Sequence, residues 1–201
     1  MAVNKSVYRL GKFICRTFFR LFFRVRVVGR ENLPSNGGIL LCSNHIHYLD
    51  PPFLGAFLKR DTRYMAKSEL FSKPILKGLL PKLGAFPIRR GMSDRQALRK
   101  GLSLLKEGEM IGVFPEGTRS KTGKLGKGLA GVGFFALRSD AYVVPSAITG
   151  SYKPFSRLTI IYGEPVDMQT LRENKASAEE ATEAIMKSIG DLLIKHESKK
   201  G

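Results

Sequence analysis

The chain has 201 residues, of which 43% are hydrophobic and 25% charged, a composition that suits one folded domain and excludes a disordered chain. Its formal net charge is +17, since 34 lysines and arginines stand against 17 acidic residues. Such a field attracts polyanions, so the partner classes are nucleic acid, anionic lipid and acidic proteins. Cys15 and Cys42 lie in separate apolar segments without metal-ligand spacing, and we expect free thiols. The N-terminus lacks signal-peptide features, and no run approaches the ~20 apolar residues that span a bilayer.

Residues 5–24 are predicted to form an amphipathic helix. A cation recurs every three or four residues and forms one basic stripe, which consists of Lys5, Arg9, Lys12, Arg16, Arg20 and Arg24. Phenylalanines and leucines fill the other side, as is typical of a helix that lies in a bilayer interface. We therefore expect residues 1–24 to associate with an anionic membrane surface, peripheral or monotopic on the cytoplasmic face of the cell membrane. The alternative is a helix packed on the domain with its charges in water.

Short strands and helices alternate along the rest of the chain. Strands are predicted at residues 24–28, 39–42, 62–66, 85–88, 110–114, 142–148 and 158–162, and helices at 50–58, 70–80, 94–106, 129–138 and 178–194. This order predicts an α/β fold, a mostly parallel sheet sandwiched by helices, in one domain over residues 25–194 with a polar tail at 195–201. Ligands of such sheets bind beyond the carboxyl ends of the strands, so the residues that follow strands are the candidates for chemistry.

The first candidate cluster is residues 44–50, between a buried strand and a helix that Asp50 is expected to cap. Asp50 stands five residues after His45, so its carboxylate can fold back onto one imidazole nitrogen and leave the other as a general base. The alternative is a histidine that only helps to cap the turn. A zinc site with His47 lacks further ligands, and a covalent intermediate on Cys42 or Ser43 shows no sign of an activated nucleophile.

The second cluster is residues 114–120, directly after a predicted strand. Gly117 permits a tight turn, and the guanidinium of Arg119 matches a phosphate group. Lys121, Lys124 and Lys127 follow, with Gly126 and Gly128 at the next predicted helix N-terminus, an anion-binding place. The alternative is a solvated basic loop. Gly126, Gly128 and Gly131 also fit a dinucleotide fingerprint, but no strand precedes them and no acidic residue stands about 20 positions on. The chain has no P-loop motif.

Two further segments are weak signals when each is considered alone. The strand at residues 85–88 ends in Arg89 and Arg90, and the apolar strand at residues 142–148 is interrupted by Pro145.

Together and in this order, the four segments resemble the glycerolipid acyltransferase family, specifically bacterial 1-acylglycerol-3-phosphate acyltransferases, over about residues 24–166. Asn44, His45 and Asp50 match the family's Asn-His-x4-Asp motif. Residues 116–119, which are Glu116, Gly117, Thr118 and Arg119, match its Glu-Gly-Thr-Arg motif in full.

Two shorter motifs of the family also have counterparts. Gly84, Phe86 and Arg90 match Gly-x-x-Phe-x-x-Arg, with the phenylalanine one position early and Arg89 where an acidic residue is common. Val144-Pro145 matches the Val-Pro motif.

The resemblance implies transfer of a fatty acyl group from a thioester to the 2-hydroxyl of 1-acylglycerol 3-phosphate (lysophosphatidic acid), giving phosphatidic acid in phospholipid biosynthesis. His45 would take the hydroxyl proton and Asp50 would orient His45. Arg90 and Arg119 would hold the acceptor phosphate, and the substrate-binding set would also include Glu116, Gly117 and Thr118. No metal or other cofactor is implied; acyl-CoA or the acyl carrier protein thioester would be the co-substrate.

Three rival interpretations of the sequence differ in function class. Another lysophospholipid or phosphate-bearing acceptor is the nearest alternative. A basic nucleic-acid-binding protein is permitted by the charge, but no nucleic-acid motif is present, so nucleic acid is not an expected partner. A non-catalytic lipid-binding protein is disfavoured by the paired His45 and Asp50.

Overall fold

The structure, a computed structural model, describes residues 3–89 and 94–198 apart from the side chain of Glu197. Its strands are β1 (Arg24–Val28), β2 (Ile39–Ser43), β3 (Thr62–Lys67), β4 (Phe86–Ile88), β5 (Met110–Val113), β6 (Tyr142–Gly150) and β7 (Arg157–Tyr162). Its helices are α1 (Lys5–Phe22), α2 (Asp50–Phe57), α3 (Pro74–Lys82), α4 (Arg95–Lys106), α5 (Gly131–Arg138), α6 (Met168–Glu173) and α7 (Ala178–Ser198). Short 3-10 helices lie at Arg30–Asn32 and Ser68–Ser72.

The strands form one sheet in the order β1-β7-β6-β2-β5-β3-β4. Every neighbouring pair is parallel except β6 and β7, which are antiparallel. The predicted α/β fold with a mostly parallel sheet is therefore confirmed. Parallel strands are covered on both faces, and this explains why the central strand β2 is wholly buried and apolar over residues 39–42, with Ser43 at its end.

Helices cover both faces of the sheet. On one face, Phe19 of α1 and Phe53 of α2 pack in a core cluster with Leu41 of β2. On the other face, side chains of α4, α5 and α7 pack against Leu40 and Ile111. Alternation along β2 sends successive side chains into these two cores, which fixes the register of the strand.

Helix α1 packs on the domain with one face. The Thr62 N–H donates to the Tyr8 hydroxyl at 2.8 Å, and the Phe19 ring lies 4.8 Å from that of Phe53. Two cations of the predicted stripe also turn to the domain, since Lys12 donates to the Lys59 carbonyl and Arg16 to the Ala56 carbonyl, at 3.2 and 2.8 Å. The helix therefore packs on the domain as the alternative interpretation expected, but Lys12 and Arg16 contact the domain and not only water.

The opposite side of α1 leaves large apolar side chains exposed. They are Leu10 (60% exposed), Phe13 (66%), Ile14 (56%), Phe18 (40%), Leu21 (67%) and Phe22 (43%). Within the described part of the chain, no helix is long and apolar enough to cross a membrane.

Several element bounds differ from the sequence predictions. Helix α1 ends at Phe22, before Arg24, which opens β1. The helix predicted at residues 70–80 is split into a 3-10 helix and α3, because Pro74 holds the preceding residue Lys73 in an extended conformation.

Two helices near the C-terminus also depart from the sequence predictions. Helix α6 was not predicted, since its six residues are too few to show periodicity, although the Asp167 side chain caps it. Helix α7 continues to Ser198, so residues 195–198 of the predicted polar tail are helical. Lys195 and His196 suit the negative end of a helix dipole.

Candidate active site

Three parallel strands of the sheet end at one edge, and the candidate residues follow them. Residues 44–50 follow β2, residues 114–119 follow β5, and Tyr152 follows β6. Asn44 fixes the first of these segments, because its side-chain amide accepts from the Ile148 N–H at 2.7 Å and donates to the Ile148 carbonyl at 3.0 Å. The two segments that the motifs singled out first are thus brought together.

His45 and Asp50 form a buried pair. The His45 Nδ1 lies 2.7 Å from Asp50 Oδ2, and the Asp50 residue has no exposed surface. The same oxygen accepts the backbone N–H groups of Ile46 and His47 at 2.7 and 2.8 Å. The predicted pairing is present, but Asp50 does not cap α2: it is the first helical residue, after Leu49, and its carboxylate faces back to the loop.

The ring of His45 is held in a fixed orientation. It stacks on Phe114 with the centroids 4.1 Å apart, and the His45 carbonyl accepts the Ser120 N–H at 2.8 Å. Because a carboxylate accepts only, the Nδ1 that faces it carries the proton and Nε2 holds the free lone pair. His45 is 9% exposed, so its ring lies at the margin of the protein interior.

His47 occupies a different environment from His45. Its ring lies between those of Tyr48 and Tyr152, at 4.1 and 4.2 Å, and its Nδ1 accepts the Leu49 N–H at 3.3 Å. Burial lowers the pKa of His47, an effect that nearby Asp50 opposes. The described residues contain no group of three or more histidine, cysteine or acidic side chains that could hold a metal ion.

Tyr152 belongs to the site, although no sequence motif selected it. Its hydroxyl donates to Asp50 Oδ1 at 2.6 Å, across 102 positions of sequence. Burial raises the pKa of the Tyr152 phenol far above its usual value, and the neighbouring Asp50 charge raises it further. The one available signal was an aromatic residue shortly after a buried strand of the sheet.

Glu116 connects the two candidate segments through hydrogen bonds to the backbone of each. It is 8% exposed, and its Oε1 accepts the His45 N–H at 2.9 Å while Oε2 accepts the Gly126 N–H at 3.0 Å. Both carboxylate oxygens therefore hold backbone groups. Glu116 thereby orders the backbone of both segments, and direct contact between Glu116 and a substrate stays a prediction.

The rest of the Glu-Gly-Thr-Arg segment forms a turn at the surface. Gly117 has φ +66°, and its N–H donates to the Phe114 carbonyl at 2.9 Å. The left-handed φ favours glycine here, and a Cβ at Gly117 would also displace the end of the flexible Leu129 side chain, 2.4 Å away. Thr118 and Arg119 are exposed beyond this turn.

Arg119 opens a basic loop, residues 119–127, in which Lys121, Lys124 and Lys127 are also exposed. The expected anion site at a helix N-terminus is wrong for Gly126 and Gly128, because α5 begins only at Gly131. A side chain at Gly128 would lie 2.5 Å from Thr182, so that glycine allows α7 to pack closely.

The remaining phosphate ligand predicted from the sequence, Arg90, lies outside the described residues. Its neighbour Arg89 ends the segment after β4, where its N–H donates to the Asp94 side chain at 3.0 Å.

Neither candidate nucleophile on β2 is activated. Cys42 is fully buried in the core opposite α1 and α2, and burial raises the pKa of its thiol well above the usual range. Ser43 is also fully buried, and its hydroxyl has no hydrogen-bond partner among the residues that the structure describes. A buried thiol is not a nucleophile, because the thiolate is the reactive form.

Comparisons with known proteins identify the family of the chain. Residues 24–149 match the family described as Acyltransferase. The 1-acyl-sn-glycerol-3-phosphate acyltransferase of Bacillus subtilis (strain 168) is 33% identical over 175 residues, which cover 84% of this chain and 87% of that protein. The chloroplastic 1-acyl-sn-glycerol-3-phosphate acyltransferase LPAT1 of Arabidopsis thaliana is 33% identical over 135 residues, 66% of this chain and 38% of that protein.

A solved structure is similar over nearly the whole chain. It is the crystal structure of the 1-acyl-sn-glycerophosphate (LPA) acyltransferase PlsC from Thermotoga maritima, with a TM-score of 0.73 and 27% sequence identity. The match covers 94% of this chain and 79% of that one. The family predicted from the four motifs is confirmed, and the chain belongs to the acyltransferase family.

Proposed function

We propose that this protein transfers a fatty acyl group from a thioester to the 2-hydroxyl of 1-acylglycerol 3-phosphate, giving phosphatidic acid, with His45 as the general base. The observation that carries this proposal is the buried His45–Asp50 pair at 2.7 Å, at the same sheet edge as an exposed arginine loop. The relatives in Bacillus subtilis and Thermotoga maritima, both named for this acyl transfer, support the choice of acceptor.

The chemistry follows from the orientation of His45. Nε2 takes the proton of the acceptor hydroxyl while that oxygen bonds to the thioester carbonyl carbon. The carbon–sulfur bond then breaks, and the departing thiolate receives the proton from His45. Asp50 keeps Nδ1 protonated and stabilises the imidazolium that forms in between. The acyl group passes directly to the acceptor, in agreement with the inert surroundings of Cys42.

The basic loop supplies the complement to the acceptor phosphate. Arg119 is exposed, and among the described residues it has neither a hydrogen-bond nor an ion-pair partner, so its five donors are available. Arg90 would be the second phosphate ligand. Each charge-assisted contact of this kind contributes roughly 1.5–3 kcal/mol. Positioning of the hydroxyl beside Nε2 then supplies much of the rate.

The thioester donor is the co-substrate, carried either by coenzyme A or by an acyl carrier protein. Both carriers are acidic, and a chain with a net charge of +17 attracts either.

Helix α1 is the proposed contact with the membrane. Its exposed apolar side continues to the active-site edge, because the Phe155 N–H donates to the Phe22 carbonyl at 2.6 Å and the Phe155 side chain is 67% exposed. These side chains can enter the acyl boundary while Arg9 and Arg20 contact lipid phosphates. The negative surface potential of the cytoplasmic leaflet favours that face of the cell membrane.

Activity is tested with purified protein, acyl-CoA and acyl carrier protein thioesters, and 1-acylglycerol 3-phosphate, with phosphatidic acid measured by mass spectrometry. We expect product from the wild type and a rate lower by ~10²–10⁴-fold from His45→Ala. The same assay with choline, ethanolamine and glycerol lysophospholipids ranks the alternative acceptors. Faster acylation of one of these lysophospholipids would replace the proposed acceptor. If no acyl group were transferred to any acceptor, including 1-acylglycerol 3-phosphate, the proposed reaction would be refuted.

Membrane contact is tested by co-sedimentation with vesicles that contain anionic phospholipid. Deletion of α1 is unsuitable because Phe19 is buried, so we substitute Leu10→Gln and Leu21→Gln together, which removes two exposed side chains. We expect vesicle affinity to fall about tenfold, less than full burial of two leucines would give. Ile194→Gln on α7, with a similar exposure of 63%, is the control. Unchanged binding of the double variant would move the contact to another surface.

A further inference from the structure

Among the residues that the structure describes, one donates a hydrogen bond to the Asp50 carboxylate from outside its own loop. Three donors converge on Oδ2, all from residues 45–47: the His45 ring and the backbone N–H groups of Ile46 and His47. Oδ1 accepts from the Tyr152 hydroxyl at 2.6 Å, and Tyr152 lies in the β6–β7 loop. Without this contact, one oxygen of a carboxylate with no exposed surface would face the interior unpaired.

We infer that Tyr152 is a positioning residue of the acyl transfer: it fixes the rotation of the Asp50 carboxylate, and through it the His45 ring. This inference rests on the proposed role of His45 as the base. A terminal carboxylate torsion is broad and roughly two-fold, so the backbone donors on Oδ2 alone do not determine it sharply. The Tyr152 hydroxyl holds Oδ1 of Asp50 in place, so that Oδ2 stays directed at Nδ1 of His45.

The ring of Tyr152 is itself held from several sides. It stacks on His47 at 4.2 Å, and its edges meet Phe23 and Phe53 at 6.0 and 6.2 Å. These contacts involve the ring and leave the hydroxyl for Asp50. Phenylalanine at this position therefore keeps the packing and removes one hydrogen bond.

The loop that carries Tyr152 is fastened to the end of α1. The Phe155 N–H donates to the Phe22 carbonyl, and the Arg24 N–H donates to the Ser156 carbonyl at 2.9 Å. Phe155 also adopts φ +63°, a left-handed conformation that a non-glycine residue keeps only when its surroundings impose it. The hydroxyl of Tyr152 is thus delivered to Asp50 from a loop with little freedom to shift.

The test is Tyr152→Phe, assayed with a short-chain, water-soluble acceptor so that membrane binding does not enter. We expect kcat to fall roughly 10–100-fold, as for a lost hydrogen bond to a charged group, with both KM values within about twofold of wild type. The acidic limb of the kcat profile should move to higher pH, because an Asp50 charge without its donor holds the imidazolium more strongly. A purely structural role would not move that limb.

Two further variants make the result decisive. Tyr48→Phe is the control, because Tyr48 lies against the other face of His47 and is 64% exposed. In an Asp50→Ala background, Tyr152→Phe should cause no further loss, since its partner is absent. A wild-type kcat and pH profile for Tyr152→Phe, or an undiminished loss in the Asp50→Ala background, would overturn the inference. If the wild type itself transferred no acyl group, the proposed function would fail instead.

Discussion

The loop that carries His45 and the loop that carries Arg119 lie side by side and differ in almost every physical respect. In residues 44–50, the side chains of Asn44, His45 and Asp50 are buried, and each has a defined hydrogen-bond partner. In residues 119–127, Arg119 and the three lysines are exposed. Glu116 joins the two loops by accepting one backbone N–H from each side of the site.

This difference between a buried loop and an exposed loop suits two separate requirements of the proposed reaction, an oriented base and a phosphate ligand. A general base must be oriented before the substrate arrives, because reorientation during the reaction raises the barrier. A phosphate ligand gains from free donors, because the substrate supplies the missing partner and is itself fixed by the contact. Substitutions in the first loop should therefore lower kcat, and those in the second should raise the acceptor KM.

His45→Ala should have the largest effect and would test the first half of this contrast. Loss of a general base lowers kcat by ~10²–10⁴-fold, and the acceptor KM should change little because the phosphate ligands are intact. His47→Ala, two residues away and with its ring between two tyrosines, is the matched control and should stay within about tenfold of wild type. A larger loss for His47→Ala than for His45→Ala would reverse the assignment of the base.

Glu116→Gln should affect both loops at once, and so sharpens the contrast at their junction. The neutral amide offers one acceptor in place of two charged ones, and its NH2 faces a backbone N–H. We expect a loss of roughly 1–3 kcal/mol in the free energy of unfolding, with lower kcat and higher acceptor KM. Chemical denaturation and steady-state kinetics measure this.

Glu164→Gln, at an exposed site, is the control for Glu116→Gln. If Glu116→Gln changed neither the free energy of unfolding nor the kinetic constants, the contacts of Glu116 with the two loops would contribute to neither.

Arg119→Ala should raise the acceptor KM about tenfold or more and leave kcat within a few-fold of wild type. The reason is that the lost contact is made to a part of the acceptor remote from the reacting hydroxyl. Arg99→Ala, an exposed arginine on α4, controls for the change in net charge. A rise confined to the KM of the thioester donor would assign Arg119 to the donor instead.

Raising the salt concentration should give the smallest effect. It should distinguish the exposed loop from the buried loop without any substitution. Raising sodium chloride from ~50 to ~500 mM shortens the Debye length from about 14 to 4 Å, so attraction of the acceptor phosphate to the exposed loop weakens. We expect the KM of a water-soluble acceptor to rise a few-fold while kcat, which depends on buried groups, stays constant. A kcat that fell with salt while KM held would contradict this division.

Local patterns in the sequence were sufficient for the fold class and for the pairing of His45 with Asp50. Strand and helix periodicities have short ranges, and the pair lies within one loop. Such patterns could not predict the contact of Tyr152 with Asp50, because 102 positions separate the two residues. They are brought together by the pairing of β6 with β2 in the sheet.

Helix α1 shows a second limit of the same kind. Its periodicity identified the helix and its basic stripe, but Arg16 binds a carbonyl in the last turn of α2 and Lys12 binds one just beyond it. Periodicity shows which side chains share a face and gives no information about what that face meets. Asp50 was likewise expected to cap α2 because Asp-Pro commonly opens a helix, whereas its carboxylate serves the preceding loop.

The central claim, that His45 and Asp50 act as one unit, is tested most directly by kcat for His45→Ala, Asp50→Asn and the double variant. Asparagine keeps the size of Asp50 and removes the charge that stabilises the imidazolium. Residues that act as a unit are strongly non-additive. We predict that the double variant is no slower than His45→Ala alone, within about threefold. Losses that multiply in the double variant, or an Asp50→Asn variant with the kcat of the wild type, would contradict the account.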